Sequence, residues 1–227
     1  MCGRFVQERS LAELSELFEA EQLVDDPGPR YNVAPTDPAA VIVERPDARR
    51  GVTLYQWGLV PHWATSPADA ARHINARSET VASSPAFRDA LRRHRCIVPV
   101  DGFYEWSREG GVRQPHLVRR HDRRLLALAG IWATWRPYPE AEPRRTFAIL
   151  TTRANDAVAS IHDRMPVALR EEDWRRWLDP HADAGGEVLA LLEPPEPEPY
   201  ETFPVSRLVN NVRNDGPALL EPLAALT

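Results

Sequence analysis

The stretch CIVPVDGFYEW, residues 96–106, decides the fold, because it contains two short runs of residues that favour β-strands. CIVPV predicts one strand and FYEW predicts a second. Further strands are predicted from similar runs at 40–44, 52–57, HLVRR (116–120), LLALAGIW (125–132) and TFAILTT (146–152). Many short strands with few helices are typical of the α+β class. We therefore predict a single β-rich domain over residues 1–227, with a distorted, barrel-like antiparallel sheet as its core.

A few short helices are expected to flank this core. Ser10 and Glu13 have the spacing of a capping box, and apolar residues follow at helical intervals, which predicts a helix over residues 10–22. Shorter helices are predicted at 85–94, 155–161 and 171–178. Residues 61–73 are expected to form a long polar loop. EPPEPEPYE, residues 193–201, is interpreted as an acidic, proline-rich connector or insertion.

Composition excludes several classes of protein. The chain has 227 residues and a net charge of −5, so it is not a basic nucleic-acid coat. Its two cysteines, Cys2 and Cys96, do not make a disulfide framework. Charged residues near the N-terminus argue against a signal peptide, and no apolar run is long enough to span a membrane. We therefore expect a cytosolic protein, and a monomer is the default expectation.

Two features of the charged residues bear on function. All 28 basic residues are arginine and none is lysine, so the only primary amine is the α-amino group. Residues 72–124 carry twelve arginines and six acidic residues, a local charge of +6 that leaves −11 for the remainder. A local basic surface can bind phosphates even on an acidic protein. The alternative is a solvated face of mixed charge.

MCGRF, residues 1–5, places a cysteine directly after the initiator methionine. Removal of Met1 would leave Cys2 with an amine and a thiol on adjacent carbons. Such a 1,2-aminothiol forms an imine with an aldehyde, after which the thiol closes a thiazolidine ring. An α-amine has a pKa of about 7.7–8.0 and is partly neutral at pH 7. Arg4 is expected to activate the thiol through its positive charge. The alternative is an ordinary cysteine at a frayed terminus.

Two further stretches carry candidate site residues. In NARSE, residues 75–79, Asn75 and Arg77 point the same way if the backbone is extended. Asn75 can then orient an amine while Arg77 holds a phosphate. In DGFYEW, alternation places Glu105 on one face with Phe103. A carboxyl group set among aromatic side chains has a raised pKa and can move protons near neutral pH.

The remaining candidates are a histidine, an arginine and a tryptophan. IHDRMP, residues 161–166, contains His162, which suits proton transfer at pH 7, and Arg164 two residues later. WGLVPHW, residues 57–63, ends in Trp63, which could stack on a base. Packing in the core is the alternative for His162, and it is favoured for Trp57. No spacing fits a metal site, so we expect neither a metal nor another cofactor.

Together these stretches resemble one family, the SOS-response-associated peptidases (SRAP). The resemblance runs from residue 2 to about residue 215 and rests on seven stretches in the family's order. They are MCGRF, YNVAPT, WGLVPHW, INARSET, PVDGFYEW, IHDRMPVAL and VSRLVNNV. One of the seven is fixed to the N-terminus, which makes the match highly specific.

The resemblance implies a covalent reaction with abasic sites in single-stranded DNA. Cys2 would bond to the lesion as a thiazolidine, and Asn75 would orient its α-amine. Glu105 would serve as acid and base for imine formation and reversal. His162 would donate a proton to the ring oxygen of the abasic sugar and so open it to the aldehyde. The adduct would shield the lesion from strand cleavage and error-prone bypass.

The resemblance also implies how DNA is held and which class of enzyme this is. Arg4, Arg77 and Arg164 would contact the phosphates that flank the lesion. The family's peptidase name refers to self-removal of residues ahead of the cysteine, so hydrolase or lyase chemistry is expected as well. Because residues 193–201 are acidic, we expect them to lie far from the DNA.

Two other functions remain open from the sequence. An N-terminal-nucleophile amidohydrolase would share the free cysteine terminus but would use the amine as a base. A non-covalent single-strand binder would use arginine and tryptophan alone.

Overall fold

The computed structural model describes residues 2–109, 112–196 and 200–223, which form fourteen strands and three α-helices. The strands are β1 Arg4–Gln7, β2 Ala20–Gln22, β3 Arg30–Val33, β4 Pro38–Glu44, β5 Arg50–Trp57, β6 Asn75–Arg77, β7 Arg95–Val100, β8 Gly102–Glu109, β9 Val112–Arg120, β10 Leu126–Trp135, β11 Arg144–Arg153, β12 Arg164–Pro166, β13 Ala168–Leu169 and β14 Tyr200–Pro204. The α-helices are α1 Leu11–Phe18, α2 Arg88–Arg93 and α3 Trp174–Leu178. Short 3₁₀ helices cover Pro67–Arg72, Glu171–Asp173, Leu189–Leu192, Arg207–Asn210 and Pro217–Leu220.

Five strands close into the predicted barrel. β5, β4, β7, β10 and β11 are neighbours in that order, and each pairs antiparallel with the next. β11 then returns to β5, where Phe147 lies opposite Trp57, and this closing contact is parallel. The prediction of a β-rich α+β fold with a barrel-like core is therefore confirmed. The strands predicted at residues 96–106 are β7 and β8, and they belong to different sheets.

A second sheet holds the N-terminal segment against the barrel. Its strand order is β14, β9, β8, β1 and β3, so β1 lies between two partners. Phe5 of β1 is fully buried, and its ring centroid lies 4.7 Å from that of Trp57. The preference for Trp57 as a core residue is confirmed by its complete burial. This packing fixes the backbone that follows Cys2.

The first predicted helix is right at its start and too long at its end. Ser10 accepts a hydrogen bond from Glu13 N, and the capping box is complete. The helix stops at Phe18 because Glu19 adopts a left-handed conformation with φ of 50°. Residues 20–22 then form β2, which pairs with β5, so tertiary pairing overrides the helical pattern there.

The prediction of a helix over residues 155–161 is wrong. The segment is a series of turns, in which Val158 N and Ala159 N both donate to Asn155 O. The Asn155 side chain donates instead to the carbonyls of Pro195 and Glu196, which ties this segment to the proline-rich stretch. This long-range contact, and not the local helical pattern, fixes the conformation of the segment.

The remaining predictions for local structure are partly confirmed. The helices predicted at 85–94 and 171–178 appear as α2 and α3, the latter preceded by a 3₁₀ turn. The predicted loop at 61–73 contains the 3₁₀ helix Pro67–Arg72. Of the stretch 193–201, residues 197–199 lie outside the described residues, and Tyr200 and Glu201 begin β14. No helix in the described ranges is long and apolar enough to cross a membrane.

Candidate functional site

A cleft of about 780 Å³ lies where the N-terminal segment meets β8 and the turn before β12. Polar and charged groups dominate its walls. It is lined by Gly3, Arg4, Glu105, Trp106, Arg113, Ser160, Ile161, His162, Asp163 and Asn210. Its position follows from the sheet register, because β1 and β8 are antiparallel with Arg4 opposite Tyr104. Continuing that register brings the backbone before Arg4 alongside Glu105.

Cys2 is buried at the base of this region and is held by its backbone. Asn75 Nδ2 donates to Cys2 O at 2.7 Å, and the Cys2 thiol faces Arg4 O at 3.8 Å. Asn75 Oδ1 is buried and accepts no hydrogen bond from the described part of the chain. The contact joins Asn75 to the carbonyl of Cys2, so the expected role of Asn75 in orienting the α-amine stays a prediction. The amide oxygen of Asn75 is left to accept from a further donor.

The expected activation of the thiol by Arg4 is wrong for this arrangement. Burial raises the pKa of the Cys2 thiol above its ordinary value, and the negative charge of Glu105 raises it further. The Arg4 guanidinium turns away and donates to Asn32 Oδ1 at 3.1 Å and to Val209 O at 2.9 Å. The thiol is therefore a neutral group at pH 7, and any reaction must remove its proton locally.

Glu105 lines the cleft, and its charge acts on the Cys2 thiol. It is buried, and burial raises the pKa of its carboxyl group, while the nearby His162 opposes that rise. Phe103 packs in the same core cluster as Cys2, and Tyr104 packs in a separate cluster on the other face of β8. The predicted alternation along β8 and the predicted direction of the Glu105 pKa are both confirmed. Glu105 can therefore hold or release a proton nearer to neutral pH than an exposed glutamate.

His162 faces the same cleft, and its backbone neighbours define its tautomer. Arg164 N donates to His162 Nδ1 at 2.9 Å. Asp163 Oδ1 also lies 2.9 Å from Nδ1, which would require a proton on that nitrogen. An amide N–H can only donate, whereas the Asp163 side chain is 87% exposed and well hydrated. We therefore assign Nδ1 as the acceptor, so that the neutral ring carries its proton on Nε2.

The two predicted phosphate contacts at Arg77 and Arg164 differ in availability. Arg77 is exposed at the end of β6, opposite Thr151 of β11. Arg164 is buried, and it donates to both carboxylate oxygens of Glu79 at 2.5 and 2.9 Å and to Thr151 O at 2.6 Å. In this arrangement Arg77 can reach a phosphate directly. Arg164 can do so only by giving up Glu79, and its DNA-binding role stays a prediction.

Sequence reasoning missed a second cation beside Arg4. Arg113 lines the same cleft as Arg4. The pKa of Arg4 is lowered first by burial, and the charge of Arg113 lowers it further. Arg113 lies over the ring of Trp106 at 5.6 Å, and Trp106 Nε1 donates to Asn210 Oδ1 at 2.7 Å. These residues come from distant parts of the sequence. Only the pairing of β8 with β9 and the packing of the C-terminal segment could reveal them.

Trp63 does not line this cleft. Its side chain is 57% exposed in a separate groove formed with α2 and β10. The acidic residues Glu193 and Glu196 line yet another cleft. No cluster of residues suited to hold a metal ion occurs in the part of the chain that the structure describes.

The barrel and the second sheet thus bring a buried cysteine, an amide, a carboxyl group and an imidazole to the region of one polar cleft. The chain belongs to the SOS response associated peptidase (SRAP) family, whose sequence model matches residues 1–212. The resemblance noted from the sequence is thereby confirmed.

Two relatives, one from Bacillus subtilis and one from Escherichia coli, are similar to this chain over nearly their whole length. The abasic site processing protein YoqW of Bacillus subtilis is 37% identical over 224 residues, covering 97% of this chain and 99% of that protein. The abasic site processing protein YedK of Escherichia coli is 34% identical, covering 98% and 100%. A solved structure of a protein from Bacteroides thetaiotaomicron superposes with a TM-score of 0.85 at 25% identity, covering 98% of this chain and 100% of that one.

Proposed function

We propose that this chain processes abasic sites in single-stranded DNA by bonding to them covalently through Cys2 after removal of Met1. The proposal is supported by the relatives' names and by the site geometry. The observation that carries it is the placement of Cys2 with Asn75 on its backbone and Glu105 beside its thiol. A cysteine that served only as core packing would not need a buried carboxyl group next to its sulfur.

The first step is attack by the Cys2 α-amine on the open-chain aldehyde of the abasic sugar. Asn75 Oδ1, which is buried and lacks a partner among described residues, can accept from that amine and orient its lone pair. Because the chain has no lysine, the α-amine has no competitor within this protein. Holding the amine against the aldehyde makes the condensation effectively unimolecular, which can lower the barrier by about 7–11 kcal/mol.

The later steps need one proton donor and acceptor, and Glu105 supplies both. In its acid form Glu105 protonates the hydroxyl of the carbinolamine, which leaves as water and gives the iminium. The resulting carboxylate takes the proton of the Cys2 thiol as the sulfur bonds to the iminium carbon. The thiazolidine forms with loss of one water, and Glu105 ends protonated as it began. The raised pKa of both Glu105 and Cys2 suits this exchange.

His162 supplies the aldehyde. An abasic sugar is mostly a closed hemiacetal, and opening it requires a proton on the ring oxygen. The tautomer set by Arg164 N places the donor proton on Nε2, on the side of the ring away from the backbone. The Nε2–H can donate a hydrogen bond to the ring oxygen as the C–O bond breaks, while the anomeric hydroxyl proton reaches that oxygen through water. The sugar therefore gains and loses no proton, and the imidazole stays neutral.

The test is crosslinking of purified protein to an abasic single-stranded oligonucleotide, read on a denaturing gel and by intact mass. The parent protein should lack Met1 and gain the mass of the oligonucleotide less one water. Cys2→Ala should give no denaturation-resistant band, and Cys96→Ala is the matched control because Cys96 is equally buried but lies in β7. A persistent band from Cys2→Ala would refute the mechanism. Turnover of amides without an adduct would favour the amidohydrolase instead.

A further inference from the structure

A second groove, of about 440 Å³, lies apart from the site cleft and shares no lining residue with it. Three elements build it: the loop after β5, helix α2 with the residues just before it, and the end of β10. Its walls include Pro61, His62, Trp63, Arg92, Arg93 and Trp132. A volume in this range is typical of sites that hold a small organic ligand or one unit of a polymer.

Aromatic side chains dominate one part of the groove. Trp63 is 57% exposed, which is unusual for so large an apolar side chain. Trp132 is half-buried, and its ring centroid lies 4.4 Å from that of His94 and 5.3 Å from that of Tyr55. Trp132 is thus held rigidly while Trp63 is open to solvent. Rigid and open aromatic surfaces in one groove suit a planar ligand that stacks.

Positive charge dominates the other part. No carboxylate of the described residues lies within 4.0 Å of the guanidinium groups of Arg92 or Arg93, which are exposed in the last turn of α2. Asp89, the acidic residue of the groove, has Arg88 at 3.9 Å. The pKa of His94 is lowered by burial and then by Arg93, so the positive field of this arginine reaches into the groove. The groove is therefore complementary to a ligand with an anionic part.

We propose that this groove binds a nucleotide of undamaged single-stranded DNA, with a base stacked on Trp63 and a phosphate held by Arg92 and Arg93. A ligand that joins a planar aromatic ring to a phosphate at regular intervals satisfies both halves of the groove. The choice of single-stranded DNA rests on the proposed function, but the groove binds without any lesion and without Cys2. It would hold the strand while the separate cleft receives an abasic sugar.

The test measures binding of a fluorescein-labelled oligothymidylate by anisotropy over a range of salt concentrations. Arg92→Ala/Arg93→Ala should weaken binding and reduce the salt dependence by about 1.4 in log–log slope, as expected for two lost contacts to a single strand. Arg175→Ala/Arg176→Ala on α3 is the matched control, since it removes two adjacent exposed arginines from another short helix. It should leave both the affinity and the slope unchanged.

Trp63→Ala should weaken binding at least about fivefold, whereas Trp63→Phe should keep most of the affinity because stacking is retained. These side chains are exposed, so thermal unfolding should change little. Equal affinity for the parent, for Arg92→Ala/Arg93→Ala and for Trp63→Ala would overturn the proposal. Binding of an acidic peptide in the groove with no competition from the oligonucleotide would also overturn it.

Crosslinking to an abasic oligonucleotide is followed in parallel. A groove effect without any adduct would reject the proposed function alone, and an adduct without a groove effect would reject this inference alone.

Discussion

The pair formed by Glu79 and Arg164 should contribute to stability in a way that depends on pH. The hydrogen bonds from Arg164 lower the pKa of Glu79 from its ordinary 4.5 to about 2. A shift of that size corresponds to about 3.4 kcal/mol at 1.36 kcal/mol per unit. Because the Glu79 side chain is 44% exposed, solvent screening reduces the effect, and we expect about 1–2 kcal/mol.

The sign follows from the direction of the pKa change. A carboxyl group whose pKa is lower in the folded state stabilises that state when it is ionised. The contribution is therefore complete above about pH 5.5, decreases as the pH falls below 4.5 and disappears near pH 2. By pH 3 less than half of it should remain.

Glu79→Gln tests this prediction, because glutamine keeps the shape and a hydrogen-bond acceptor but removes the charge. Urea unfolding at pH 7 should show a loss of about 1–2 kcal/mol, which corresponds to a decrease in Tm of roughly 2–8 °C. The difference from the parent should shrink as the pH is lowered from 5 to 3. Glu16→Gln, at an exposed site of α1 away from the cleft, controls for general charge effects. A loss that stays constant from pH 7 to pH 3 would refute the assignment of the stabilisation to this ion pair.

The other predictions concern the proposed chemistry and one strained turn. Glu105→Gln should slow both formation and reversal of the adduct by about 10²-fold or more and flatten the pH dependence of the rate, measured by quenched gel assays; unchanged rates would remove Glu105 from proton transfer. His162→Ala should slow formation chiefly, while Asp163→Asn should leave the rate within about twofold, and a large effect of the latter would contradict the tautomer. Gly58→Ala should lower the free energy of unfolding by about 2 kcal/mol or more, since φ is 121° and an added Cβ would lie 2.6 Å from Ala70 O. Gly28→Ala, with φ of 82° and no atom within 4 Å, should show the cost of backbone strain alone.

The strands of the barrel could be predicted because their residue types agree with their environment. The run 125–132 is apolar on both faces, as a strand with core on either side requires, and it became β10. β2 could not be predicted, because Ala20, Glu21 and Gln22 are not residues that favour strands and they continue a helical pattern. Their conformation depends on a parallel pairing with β5, more than two dozen residues away, which no local pattern encodes.

The candidate site was predicted unevenly for a similar reason. Four candidate residues lie in motifs whose chemistry can be inferred from the residue types, and the structure brings them to one region. They are Cys2, Asn75, Glu105 and His162. The groups that pair with the arginine side chains could not be predicted from the sequence. Arg164 pairs with Glu79 and Arg4 with Asn32, so two expected phosphate contacts are already occupied by the protein. An arginine in sequence shows a charge but not the group that the charge meets.

Because β1 pairs with both β8 and β3, the number of residues before it cannot change without moving Cys2. Adding one codon between Cys2 and Phe5 would leave β1 in place, because its side chains are locked between β8 and β3. The added residue would instead shift Cys2 by one position along the strand direction, which would place its side chain on the opposite face of the sheet. The length of the segment before β1 and the position of the nucleophile are thus coupled, because even one added residue would separate Cys2 from Glu105.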